Sequence, residues 1–230
     1  MQDRPWAKLP AAVVMKYYTF GVFFRTVRCL LIGQTDLARW TDTSNFDTEW
    51  EERTQLMARI VPKHTRVIEF GAGTRQLESY LDPTCSYFPS DLFDRGGNTI
   101  VLDLNSRPLP DLSHLKLDVA IFAGVLEYIS DLDSVVLWLS RQVAMCIASY
   151  GCAHTRPRTI SRFKETIRRT GAGWINTFTE DALLQTFSAG GFILTETHDW
   201  HVGDSSERIF VFNTVANRRA INVPRASPDV

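Results

Sequence analysis

Residues 67–75 read "VIEFGAGTR", placing Glu69 two residues ahead of Gly71 and four ahead of Gly73, with Ala72 between the glycines. A glycine turn between a strand and a helix leaves backbone N–H groups open at the positive end of the helix dipole, where polar ligand groups bind. The two glycines permit the tight turn and the close approach of backbone to ligand. That pattern alone is weak, because a dinucleotide fingerprint would need glycine at position 76, which is Gln76. Glu69 says more. A carboxylate at a strand end, aimed into a cleft, suits an amine-bearing or cationic ligand better than a pyrophosphate. Asp91 ends the next apolar run, at a distance that fits a carboxylate gripping ribose hydroxyls, and Asp103 ends the third.

Residues for acid–base work come later in the chain. His154, shortly after a fifth apolar run, is a candidate base over the cleft, or else a solvated loop histidine. Tyr128, beside Glu127 in "VLEYI", is a candidate wall of the site; the same stretch reads as a helix start whose Leu126 and Ile129 belong to the core. In "HDWH", His198 and His201 would face opposite sides of a strand, so no metal site is expected. His154, Arg156, Arg158, Arg162, Lys164, Arg168 and Arg169 stand against the single acid Glu165. The run is either a solvated helix face or an electropositive rim for an anionic acceptor. Trp174 and Asn176 would add a stacking platform and an amide suited to a carbohydrate or aromatic acceptor.

The elements that must carry these residues follow from patterning. A chain of 230 residues with 44% hydrophobic and 22% charged residues fits one α/β domain with additions. Its net charge of −1 gives no global attraction to nucleic acid, and none is expected as a partner. Cys29, Cys85, Cys146 and Cys152 form no ligand-spaced cluster, which favours a reduced, cytoplasmic setting. "AAVVMKYYTFGVFFRTVRCLLIG" is interrupted by Lys16, Arg25 and Arg28, short of the roughly 20 apolar residues of a span. It is expected to form two short helices divided by Gly21, an N-terminal cap over residues 1–52 that packs on the core or a partner copy, with peripheral membrane contact as the alternative. A helix follows from Ser44 as N-cap through Phe46, Trp50, Met57 and Ile60 to a stop at Pro62. The runs "RVIEF", "SYFPS", "TIVLD", "VAIFA" and "MCIASY" alternate with helical patterns, which implies a doubly wound, mainly parallel sheet. "FILTETHDW" and "RIFVFN" are expected to close it as an antiparallel edge hairpin. The sheet domain is assigned to 53–213 and a tail to 214–230.

Taken in order, these segments resemble the class I S-adenosylmethionine-dependent methyltransferases over residues 50–213. "VIEFGAGTRQL" is similar to their first motif, "YFPSDL" to the second-strand motif, "VLDLNSRPLP" to the adenine-cupping segment, and "LDVAIFAGVLEYISDLDSVV" to the fourth strand and its turn. The resemblance implies a Rossmann-like methyltransferase fold and S-adenosylmethionine as cofactor. It implies that Glu69, Gly71, Ala72 and Gly73 line the methionine and ribose end, and that Asp91, with Leu92 beside it, binds the ribose diol. Asp103 would reach the adenine amino group with Leu104 in contact, and Gly124 would admit backbone to the methionine portion. Arg75 departs from the pattern, where a third glycine is usual. It points to solvent or a surface acid, reaches the cofactor carboxylate, or occludes the site. "AGVL" stands where nucleobase amine methylation would want NPPY, which argues against that activity; with the basic run, Trp174 and Asn176, O-methylation of a small-molecule or glycan-like acceptor is the favoured expectation. A non-catalytic scaffold and an NAD-dependent oxidoreductase stay open as alternatives.

Overall fold

The computed structural model of the chain describes residues 11–32, 35–41, 50–153, 160–202 and 205–215. Seven strands form one sheet in the order β3-β2-β1-β4-β5-β7-β6. These are β1 (Arg66–Phe70), β2 (Ser86–Asp91), β3 (Ile100–Val101), β4 (Val119–Phe122), β5 (Met145–Tyr150), β6 (Phe192–Val202) and β7 (Ser205–Thr214). The first five pair in parallel, and β7 joins β5 antiparallel with β6 at the edge. This is the doubly wound sheet with an antiparallel edge hairpin that the sequence patterning predicts.

The central strands read as unbroken apolar runs because both faces are covered. Ile68, Phe70, Ala120, Phe122, Cys146 and Ala148 turn to one core, and Val67, Val119, Ile121 and Ile147 to the other. The first core is closed by α5 (Leu132–Leu139) and α7 (Glu180–Ala189), through Val136 and Phe187. The second is closed by α3 (Glu51–Ile60) and α4 (Gln76–Tyr80), through Met57 and Leu77. Pro89 is tolerated inside β2 because β3 pairs only with Ser90 and Asp91, leaving no ladder partner on that side. Val61, extended at ψ 126°, ends α3 as the residue before Pro62 must. The N-cap of α3 is Trp50; the expected cap Ser44 and the stripe residue Phe46 lie outside the described residues.

The N-terminal segment differs from expectation. Helix α1 (Ala11–Ile32) runs unbroken through Gly21. An interior glycine costs about 1 kcal/mol relative to alanine, and burial of Val22, Thr26 and Cys29 along one side outweighs it. That buried stripe faces inward, while Phe24 and Leu31 are exposed, Leu31 at 82%. Helix α1 packs on α6 (Ile160–Gly171), and a short α2 (Leu37–Trp40) follows it. Among the described residues, no helix is long and apolar enough to cross a membrane.

Candidate functional site

A cavity of about 300 Å³ opens at the carboxyl ends of β1, β2 and β4, the location where open α/β sheets bind ligands. Glu69, Gly71, Ala72, Gly73, Asp91, Gly124 and Tyr128 all line it. The turn that carries the glycines is stitched to β2: Ala72 N donates to Ser90 O at 2.9 Å and Gly73 N to the Asp91 carboxylate at 2.8 Å. Gly71 stands at φ +67°, and a Cβ there would lie 2.6 Å from Val125 Cγ2, so the turn after β4 presses directly on the glycine.

Arg75 also adopts the left-handed conformation, at φ +61°, as the N-cap of α4. A non-glycine residue there costs roughly 1–2 kcal/mol. Its guanidinium donates to Gly97 O at 3.0 Å and pairs with Glu78 at 2.9 Å. Arg75 therefore clasps the loop after β2 and is not part of the cavity lining.

Glu69 is 4% exposed and accepts a short hydrogen bond from the Tyr87 hydroxyl. Burial pushes its carboxyl up to about 8, against the opposing pull of Tyr87 and the Arg53 charge. Asp91 accepts from Phe93 N at 3.2 Å and from Arg95 Nε at 3.4 Å. Arg95 reaches on to the carbonyls of Trp40 and Thr41, so it tethers α2 to the floor of the cavity. Trp40 meets Tyr128 edge to face, ring centroids 4.6 Å apart, to form an aromatic wall.

Arg53, like Trp40 and Arg95, lines the cavity and was missed by the sequence reading. It is 4% exposed and lies between the rings of Trp50 and Trp200, each centroid 5.4 Å away. Its Nη1 donates to Glu207 and its Nη2 to Ala123 O, both at 3.3 Å, while Nε has no partner. A cation on the same helical face as Trp50 and Met57 was the available signal. Glu127, 2% exposed, lies behind this cluster outside the cavity lining. Burial, and next the charge of Glu207, push its carboxyl up to about 8.

Several expected site residues are engaged elsewhere. Asp103 accepts from Thr35 Oγ1 at 2.8 Å and from Asn105 N at 2.9 Å, and it is not in the cavity lining. Leu104 is buried in the core and Leu92 is half-buried, and neither lines the cavity. Arg169 is a correction to the basic rim: 6% exposed, it donates to Gly151 O at 2.6 Å and Cys152 O at 3.1 Å. Trp174 lies against that guanidinium, 4.7 Å from its ring centroid. Asn176 donates to the carbonyls of Leu126 and Ile129 and accepts from the Tyr150 hydroxyl, so its amide braces the turn after β4. Arg168 is exposed. His154, Arg156 and Arg158, and the side chains of Arg162, Lys164 and Glu165, lie outside the described residues. No cluster of three or more metal-ligating side chains occurs among the described residues.

At the level of sequence, no family model and no curated protein matches the chain. Its fold is nonetheless shared with solved structures. The mitomycin 7-O-methyltransferase MmcR superposes with a TM-score of 0.58 at 12% identity, over 87% of this chain and 68% of that one. The 1,6-didemethyltoxoflavin-N1-methyltransferase of Burkholderia thailandensis, solved with 1,6-didemethyltoxoflavin and S-adenosylhomocysteine bound, superposes at 0.56 and 14% identity, over 90% and 92%. The pyocyanin biosynthetic protein PhzM matches at 0.52 and 10% identity over 70% of this chain, which spans 54% of PhzM. The architecture is the class I S-adenosylmethionine-dependent methyltransferase fold.

Proposed function

We propose that the protein binds S-adenosylmethionine in this cavity and transfers its methyl group to an oxygen of a small-molecule or glycan-like acceptor. The observation that carries the reading is the set of groups on one cavity wall: the open glycine turn, Asp91, and Glu69 with Arg53 beside it. A carboxyl next to an under-bonded guanidinium is complementary to an α-ammonium and an α-carboxylate, the amino-acid end of that cofactor. Asp91 is an acceptor for a ribose diol, and Trp40 offers flat surface for a purine. When bound, the cofactor supplies an electrophilic methyl group on a sulfonium.

What the chain itself must then do is position, desolvate and accept a proton. Proximity and in-line orientation can supply much of the barrier reduction in such a displacement. Arg53 and Glu69 fix one end of the ligand, and the turns of Gly71 after β1 and Gly124 after β4 bring backbone against its middle. A hydroxyl acceptor must lose its proton as the new bond forms. His154 is assigned that role and Tyr128 the orientation of the acceptor.

Calorimetric titration with S-adenosylmethionine, S-adenosylhomocysteine and NADH tests the cofactor. Binding of the first two only is expected, and binding of NADH alone would sink the reading. Transfer of label from methyl-labelled cofactor to phenols and sugars tests the acceptor class. Loss of transfer in His154→Ala, with S-adenosylhomocysteine affinity retained, is the expected mark of a base.

A further inference from the structure

The cluster around Arg53 does not balance its charges. One buried guanidinium faces three carboxyls: Glu69 on β1, Glu127 in the turn after β4, and Glu207 on β7, with which it pairs. Glu69 and Glu127 are both buried, and a buried carboxylate without a cation of its own is strongly disfavoured. The direct partner of Glu69 is the neutral hydroxyl of Tyr87. From the other elements packed around it, Asp91 at the end of β2 and Glu78 on α4 add negative charge. Arg75 lies over the Tyr87 ring, 5.7 Å from its centroid, and is held by Glu78 and the carbonyls of Gly96 and Gly97. Among the described residues, no cation forms an ion pair with Glu69.

We propose that Glu69 carries a proton in the empty cavity and releases it to solvent when the ammonium of the incoming cofactor docks, making uptake proton-coupled and selective for a cationic head group. The inference rests on the reading of the cavity as a cofactor site. Its balance is simple: the O–H bond of the Glu69 carboxyl breaks and its proton passes to the buffer. The ligand keeps its ammonium protons and donates one as a hydrogen bond to the new carboxylate. The raised titration of Glu69, to about 8, agrees with the charge count. Glu127 is raised as far but does not line the cavity, so it keeps its proton throughout.

The test is calorimetry of S-adenosylhomocysteine into the full chain, in buffers of different ionisation enthalpy. At pH 7 a group titrating near 8 should release about 0.9 proton per site, and affinity should climb about tenfold from pH 6 to pH 7. The probe 5′-methylthioadenosine, which lacks the amino-acid end, should release none. Glu69→Gln should abolish the release while still binding 5′-methylthioadenosine, which shows that the variant is folded. Glu127→Gln should leave the release in place. Binding by the unaltered chain with no proton released overturns the inference alone, as does release that persists in Glu69→Gln. Failure of S-adenosylhomocysteine to bind at all overturns the underlying reading and this inference with it.

Discussion

Gly124 stands at φ +71°, and a Cβ on it would lie 2.8 Å from Arg53 Nη1. Gly124→Ala should displace the guanidinium and strain the turn, lowering S-adenosylhomocysteine affinity by about tenfold or more. Arg53→Gln should lower that affinity similarly but leave 5′-methylthioadenosine binding unchanged; equal losses for both ligands would mean that Arg53 only props up the fold. Glu127 makes a separate prediction in stability. Its carboxyl titrates near 8 when folded and about 4.3 when unfolded. Between those values the folded chain holds a proton that the unfolded chain has lost, so stability falls as pH rises through that window. Glu127→Gln should flatten the decline, by on the order of 1 kcal/mol per pH unit, in urea titrations at pH 5.5 and 7.5. A profile parallel to the parent would contradict this. At this scale the sequence was legible where function and local pattern coincide. Glu69, the glycines and Asp91 sit on strand ends that their own neighbours define. Arg53 and Trp40 reach the cavity only through tertiary packing, and Asp103 is drawn away by Thr35, a partner 68 residues distant.

Elements were legible for the same physical reason. Strands buried on both faces announce themselves as apolar runs, and the helices between them by helical patterning, whereas the one cap read from sequence, Ser44, lies outside the described residues. Asp131 accepts from Ser134 N at 3.1 Å to cap α5, and Asp131→Ala should cost about 1 kcal/mol in chemical denaturation. What local pattern could not supply was the fate of a charged run. Arg168 and Arg169 are neighbours in sequence, yet one is exposed and the other locks α6 to the carbonyls that follow β5. Arg169→Gln should therefore destabilise the chain by about 3 kcal/mol through carbonyls left unpaired, whereas Arg168→Gln should stay within about 0.5 kcal/mol. Equal effects would mean that the carbonyl bonds of Arg169 contribute little to stability. Gly21 teaches the complementary lesson, since a local helix breaker yields to a buried stripe on its own helix.

At the scale of the whole molecule, the cavity is assembled from α2, α3, the ends of β1, β2 and β4, and a cation held by β7. A ligand that binds only this assembled state must stabilise all of it. S-adenosylhomocysteine at a hundredfold excess over its dissociation constant should add about 2.7 kcal/mol and raise the melting temperature by about 5–10 °C. No shift under those conditions would argue against a preformed site.

The pairing of Arg53 with Glu207 joins residues 154 positions apart. One comes before the first strand and the other lies on the last. During synthesis, therefore, the glycine turn and Asp91 leave the ribosome long before the partner of the cavity's cation has been made. Until β7 takes its place beside β5, Arg53 lacks the carboxylate with which it pairs in the complete fold. The ion pair across the cavity is therefore completed only with the closing strand.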